Sequence, residues 1–279
     1  MNNLHHDTFM GFKYRIGVKI GKGAIGEVYI ASDIDTKKEF AIKIIDLNNR
    51  KLSSSQVKNK IKRDSEIPKK LTHPNIITIH DFFETDKYAY IIYPLIDPAI
   101  TLEDLDKTEF YFYKMKKLIY LVHILLQICD ALEYMHSYDI VHRDIKPQNI
   151  LLHEYTSYII DFDQAAIIND PEYPAEKGLY GSPLYMAPEI WRCDENINYK
   201  LADIYSFGVL IYFVFNKKML PYQAKTIMNL EFEIRNKKPI SSKCNYQTVD
   251  KIIMRTLSKK PEDRPSIDEI RRILKSIVN

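Results

Sequence analysis

The stretch Val141-His142-Arg143-Asp144-Ile145-Lys146-Pro147-Gln148-Asn149, followed after an apolar strand pair by Asp161-Phe162-Asp163, decides how this chain is read. Two carboxylates and an amide at this spacing can orient a hydroxyl nucleophile and hold a divalent metal against a polyphosphate, with Lys146 available to neutralise charge as a phosphoryl group moves. Taken singly, Asp144 would serve equally well as a turn cap and Asn149 as the start of a strand. As a whole the string points to phosphoryl transfer, because several positions fit one chemistry together.

Outside this stretch the composition is that of a soluble globular protein, with 279 residues, 46% apolar and 28% charged. A net charge of +3 spread along the chain gives no ground for a nucleic-acid partner. The densest basic run, Lys58 to Arg63, reads as the solvated face of a helix. Cys129, Cys193 and Cys244 lack paired spacing, which argues against a disulfide framework or zinc site and fits a reducing, cytoplasmic setting. The apolar run from Leu118 to Cys129 is interrupted by Tyr120, His123 and Gln127 and is short for a membrane span. Residues 1–12 lack the regions of a signal peptide and read as a mobile tail.

The run from His142 to Asn149 resembles the catalytic loop of eukaryotic-type protein kinases, and Lys146, two residues after Asp144, is the form seen in serine/threonine kinases rather than tyrosine kinases. Upstream, alternating residues from Tyr14 to Ile20 break at Gly21-Lys22-Gly23-Ala24-Ile25-Gly26 and resume at Val28-Tyr29-Ile30 and Phe40-Ala41-Ile42-Lys43. That is a glycine turn within a hairpin. Such a glycine motif is a weak signal alone, but Ala41-Ile42-Lys43 follows at the spacing of the family's Val-Ala-Ile-Lys. The resemblance covers residues 14 to about 277. It implies an α+β, bilobal protein-kinase-like fold: a small β-rich lobe with one main helix over about 13–93, a hinge at 94–98 and a larger α-helical lobe at 99–279.

It also implies ATP as cofactor with Mg2+, or Mn2+ in its place, and protein substrates modified on serine or threonine. Asp144 would be the base, Lys146 the charge neutraliser, and Asn149 and Asp161 the metal ligands. Lys43 would meet the α and β phosphates. Ile20, Gly21, Gly23, Gly26, Val28, Ala41, Tyr93, Pro94, Ile96 and Leu151 would line the nucleotide, with Tyr93 as gatekeeper and the Pro94 carbonyl and Ile96 N–H meeting the adenine. Asp97 or Thr101 would meet the ribose, unless that stretch is only a rigid linker. Arg143 would hold a phosphate on the activation segment, and Arg264 would pair with Glu189.

Three departures stand out. A helix over 52–71 supplies the family with a glutamate for the strand lysine, yet here the ungapped register puts Asp64 at that place. Glu66 lies about 200° further round. Because aspartate is short and Pro68 should distort the helix, Glu66 is slightly favoured as the partner of Lys43. Asp163 replaces a glycine, which should make Phe162 less able to flip, and adds a carboxylate beside the metal ligand. Residues 164–180 contain no serine or threonine; Tyr173 and Tyr180 read as exposed loop tyrosines, and Asp170, Glu172 or Glu176 are candidates to pair with Arg143 in a phosphate's stead. These departures keep a pseudokinase scaffold in play. The metal motif Ile159-Ile160-Asp161-Phe162-Asp163-Gln164-Ala165 also looks like that of aminoglycoside and choline kinases. Against the small-molecule reading stand residues 181–189 and Arg264, which suit a peptide.

Overall fold

The computed structural model describes residues 13–48, 52–107, 117–242 and 246–278, so the tail at 1–12 and Cys244 lie outside the described residues. Two compact units form. Unit 1 takes the chain up to Thr72 together with Ile76–Pro98 and Asp161–Asp163, and unit 2 takes His73–Asn75, Ala99–Ile160 and Gln164 onward.

Unit 1 is built on β1 (Tyr14–Lys22), β2 (Gly26–Asp33), β3 (Glu39–Asp46), helix α1 (Ser54–Glu66), β4 (Asp81–Glu84) and β5 (Tyr88–Pro94). The strands form one antiparallel sheet in the order β1-β2-β3-β5-β4. Strand alternation sorts β3 into two faces. Phe40 and Ile42 join Tyr14, Ala31, Tyr90 and Ile92 in one cluster. Ile45, with Ala89 and Ile91, packs on Val57 and Ile61 of α1, each isoleucine or valine worth roughly 1.5–3 kcal/mol of burial. Lys43 shares the parity of Ile45, and Asp64 follows Val57 and Ile61 at helical spacing. The face that builds the core therefore also carries the charges.

Ser53 caps α1 through a reciprocal box, its hydroxyl accepting from the Gln56 N–H at 3.3 Å and its own N–H donating to Gln56 Oε1 at 2.9 Å. Ile67 N–H donates to the Arg63 carbonyl at 3.1 Å, and Pro68 then opens a 3-10 turn, Pro68–Lys70. Pro68 has no N–H for the Asp64 carbonyl, so the helix is shorter than the expected 52–71 but regular through Asp64. Strand β4 is short, covering only Asp81–Glu84. Its start is diverted because Asn75 belongs to unit 2, where its amide donates to Gln127 Oε1 at 2.8 Å and to the Ser157 carbonyl at 2.9 Å.

Unit 2 contains β6 (Ile100–Thr101), α2 (Lys117–Ser137), β7 (Ile140–Val141), β8 (Ile150–His153), β9 (Thr156–Ile159), β10 (Ala166–Ile167), α3 (Pro188–Trp191), α4 (Tyr199–Phe215), α5 (Ile227–Asn236), α6 (Gln247–Thr256) and α7 (Ile267–Val278). Two small sheets, β6-β8-β9 and β10-β7, accompany the helices. By length and composition Leu118–Ser137 is long and apolar enough to cross a membrane, because the apolar pattern runs on past Cys129. In unit 2 it is a core helix, packed on α7 and β9 with Val122, Leu125, Ile128 and Leu132 buried. Helix α4 is apolar almost all round and correspondingly buried along most of its length.

A buried ion pair ties distant parts of this unit. Arg264 grips Glu189 at both ends, Nη1 to Oε1 at 2.6 Å and Nη2 to Oε2 at 2.7 Å, with the arginine side chain fully shielded. This is the pairing the resemblance implied. Removing one partner leaves a buried charge uncompensated. Glu189→Gln is therefore expected to cost about 3–5 kcal/mol, read as a lower midpoint in chemical denaturation; an unchanged midpoint would show that the pair is dispensable.

Candidate active site

Strand parity turns Lys43 toward α1, and its ammonium there contacts Asp64 Oδ2 at 2.6 Å and Asp161 Oδ1 at 2.7 Å. Burial works against this charge, yet Asp161 and Asp64 outweigh it and hold the lysine well above its usual range. The slight preference for Glu66 is thus corrected. Because Pro68 acts only after the last turn of α1, no distortion rotates Glu66 inward, and the regular helix delivers Asp64. The other Asp64 oxygen, Oδ1, accepts from the Phe162 N–H at 2.9 Å. Asp161 sits at a left-handed φ of 66°, a costly conformation for a residue with a Cβ that is held by its surroundings.

Asp163 is buried, and its Oδ2 meets Lys60 Nζ at 2.9 Å. Burial, then the Asp161 charge, pushes the Asp163 carboxyl up, while Lys43 and Lys60 pull it back. The reading of Lys58 to Arg63 as a solvated face is corrected here: Lys60 is half-buried in this pair and Arg63 is buried. Sequence reasoning missed Lys60. The usable signal was its place one helical turn before Asp64, combined with an acidic residue where the family has glycine.

The glycines divide by role. A Cβ at Gly26 would stand 2.6 Å from the Ile44 carbonyl oxygen, so this position is demanded by the close approach of β3. A Cβ at Gly23 would instead fill the space 3.8 Å from Lys43 Nζ. That leaves open backbone over the ammonium, as an incoming phosphate requires. Val28 lies opposite Lys43 and Ala41 opposite Tyr93 in the register, which sets all four on one sheet face. Burial and the Asp64 carboxylate hold the Tyr93 phenol well above its usual range. Ile20 lies exposed on β1 near Gly21, and Pro94 and Ile96 end and follow β5.

In unit 2, Leu151 is on β8 opposite Thr101 and Tyr158. The catalytic-loop string is set by Asp203 on α4. Its carboxylate accepts from the His142 N–H at 2.9 Å, the Arg143 N–H at 2.8 Å and His136 Nε2 at 3.0 Å. Burial would raise the Asp203 carboxyl, but His136 and then His142 bring it below its ordinary value. The Asp144 N–H donates to His142 Nδ1 at 3.3 Å. This leaves the proton on Nε2, facing the Ile160 carbonyl at 3.1 Å.

Asp144 Oδ2 receives Lys146 Nζ at 2.6 Å and Asn149 Nδ2 at 3.1 Å, and Oδ1 receives the Ser182 N–H at 2.7 Å. Lys146 also donates to Ser182 Oγ at 2.8 Å. Asp144, Lys146, Asn149 and Ser182 therefore form one connected group. Gly181 permits it: φ is +97°, and a Cβ would lie 2.3 Å from the Arg143 carbonyl oxygen. A carboxylate fixed by an ammonium and by neutral N–H donors has the chemistry to orient a hydroxyl and take its proton.

Arg143 has a left-handed φ of 63° and donates from Nε to the Gln164 carbonyl at 2.6 Å. Its guanidinium lies 4.3 Å from the Tyr180 ring centroid and 5.9 Å from that of Tyr199. The Tyr180 hydroxyl donates to Glu176 Oε2 at 2.8 Å. One expectation for this segment changes. Tyr173 is buried, and Tyr180 is half-buried against Arg143. Asp170 Oδ1 caps a local turn by accepting from the N–H groups of Glu172 and Tyr173 at 2.7 and 3.2 Å.

The donor set suits a hard cation bound with a polyphosphate. Among the described residues no cluster of three His, Cys, Asp or Glu side chains is arranged to hold a metal by itself. A cation that keeps water and phosphate ligands needs only one or two protein oxygens, and Asp161 has a partly exposed carboxylate beside Lys43.

Comparison with known proteins agrees with this chemistry. The family described as Protein kinase domain matches residues 14–274. A protein of Acanthamoeba polyphaga mimivirus that carries a serine/threonine-protein kinase name is 43% identical over 249 residues, covering 88% of each chain. The calcium/calmodulin-dependent protein kinase type II of Caenorhabditis elegans is 35% identical over 75% of this chain and 28% of its own length. A calcium-dependent protein kinase of Plasmodium berghei is 34% identical over 79% of this chain and 14% of its own. An Asp144 group tied to Lys146 and Ser182, a strand lysine held by two carboxylates, and a match along nearly the whole chain lead to one conclusion: the chain belongs to the protein kinase family, as a serine/threonine protein kinase.

Proposed function

We propose that this kinase transfers the γ-phosphoryl group of ATP to serine and threonine hydroxyls of protein substrates, and that it does so without phosphorylation of residues 164–180. The observation that carries the reading is the Asp144 carboxylate, fixed by the Ser182 N–H and Lys146. Asp144 accepts the hydroxyl proton as the substrate oxygen bonds to the γ-phosphorus and the bond to the β–γ bridging oxygen breaks, releasing ADP. Lys146 balances charge on the transferring group, and Lys43 balances the α and β phosphates. Asp161 and Asn149 are the proposed metal ligands; Mg2+ or Mn2+, when bound, supplies charge neutralisation on the polyphosphate. The nucleotide base is assigned to Ile20, Val28, Ala41, Tyr93, the backbone of Pro94 and Ile96, and Leu151. A cytoplasmic setting goes with the free thiols of Cys129 and Cys193.

Independence from loop phosphorylation rests on Arg143. Where a phosphate would be held, the guanidinium is bonded to Gln164 and faces the Tyr180 ring, a contact of about 0.5–2 kcal/mol. A scaffold without turnover is the competing reading, and the irregular Asp64 favoured it in the sequence; the formed Lys43–Asp64 pair weakens that argument.

With labelled ATP, Mg2+ or Mn2+ and a generic protein substrate, the wild type should transfer phosphate, and Asp144→Asn should fall by about 10^2- to 10^4-fold. ATP binding with no transfer by the wild type would select the scaffold instead. Phosphatase-treated protein should keep its turnover. Tyr180→Phe, which retains the ring, should stay within about threefold of wild type, and Tyr180→Leu should drop by about tenfold; loss of all turnover in Tyr180→Phe would instead mark the hydroxyl, and hence its modification, as required.

A further inference from the structure

Helix α1 presents Lys60 and Asp64 one turn apart on the same face. Both engage the short segment Asp161-Phe162-Asp163, which groups with unit 1. Lys60 Nζ meets the Asp163 carboxylate at 2.9 Å, and Asp64 Oδ1 accepts the Phe162 N–H at 2.9 Å. The first residue, Asp161, is tied to Lys43 at 2.7 Å. Three consecutive residues are thus each anchored by a separate contact.

The Lys60 contact differs in kind from an exposed pair. The Asp163 side chain is only 2% exposed and that of Lys60 17%. Surface ion pairs contribute little because water competes for both charges. Here, removal of Lys60 would leave Asp163 as a buried carboxylate near Asp161 and Asp64, having lost its ion-pair partner, while Lys43 stays paired with those two acids. The Asp163 oxygen is committed to Lys60, which gives this carboxylate a structural partner within unit 1.

We infer that Lys60 is a positioning residue for phosphoryl transfer: with Asp64 it clasps residues 161–163 and holds the Asp161 carboxylate in one orientation before nucleotide arrives. The inference rests on the proposed role of Asp161 in that reaction. It accounts for an aspartate where a glycine would leave Lys60 without an acid.

The test is a mutant cycle of Lys60→Met, Asp163→Asn and the double variant, with Lys60→Arg as the conservative control. Two readouts are taken: amide hydrogen exchange of residues 161–163 in nucleotide-free protein, and kcat and KM for ATP and protein substrate. Each single variant should raise exchange and lower kcat by about tenfold, and the double should be no worse than the poorer single, since both changes break one contact. KM for the protein substrate should be unchanged, and Lys60→Arg should match wild type in both readouts. Exchange and kcat that stay at wild-type values in the singles, or effects that multiply in the double, would overturn the clasp. If Lys60→Met does not fold, Asp163→Asn and Lys60→Arg still decide it: the first must loosen the segment and the second must not. A wild type that transfers no phosphate would defeat the phosphoryl-transfer reading, while the exchange measurement would still test the clasp by itself.

Discussion

A lysine ammonium with 5% of its side chain exposed survives in a protein only when carboxylates surround it. Around Lys43 this requirement is met by Asp64 from α1 and by Asp161 from the segment that follows β9. Satisfying the charge fixes the rest of the neighbourhood. The helix must present Asp64 inward, which sets Val57 and Ile61 on the sheet, and Asp161 must accept a left-handed backbone. Packing and electrostatics in unit 1 are therefore one problem solved on one sheet face.

Unit 2 solves a related problem around Asp203. A fully buried carboxylate collects two backbone N–H groups and a histidine, and in doing so bends residues 142 and 143 into the shape that points Asp144 toward Lys146 and Ser182. Gly181 supplies the backbone that this arrangement needs, since any Cβ there would strike the Arg143 carbonyl. The Asp144 carboxylate is oriented by groups from several parts of unit 2. The same loop leaves Arg143 with its guanidinium 4.3 Å from the centroid of the Tyr180 ring, so this cation is met in part by an aromatic face.

Much of this was legible in the sequence where function sits in contiguous strings. The loop from His142 to Asn149 and the pair Ala41-Lys43 could be placed, and Arg264 matched to Glu189, through the resemblance that those strings carry. What depended on tertiary contacts was harder to read. Asp64 and Glu66 could not be separated, because Pro68 suggested a distortion that the helix avoids by ending in a 3-10 turn. Lys60 was hidden in a basic run that looks solvated until Asp163 is seen to reach it. The late start of β4 follows from Asn75 bonding elsewhere, and the burial of Tyr173 from a loop packing that no local pattern announces.

The most direct test of this account compares ATP turnover by Asp64→Asn with that of Glu66→Gln. If Asp64 is the carboxylate that balances Lys43 and fixes Phe162, its loss should reduce turnover by about tenfold or more, as expected for a buried charged contact worth 1.5–3 kcal/mol, while Glu66→Gln stays close to wild type. Equal turnover in Asp64→Asn and wild type, or a larger loss in Glu66→Gln, would contradict it.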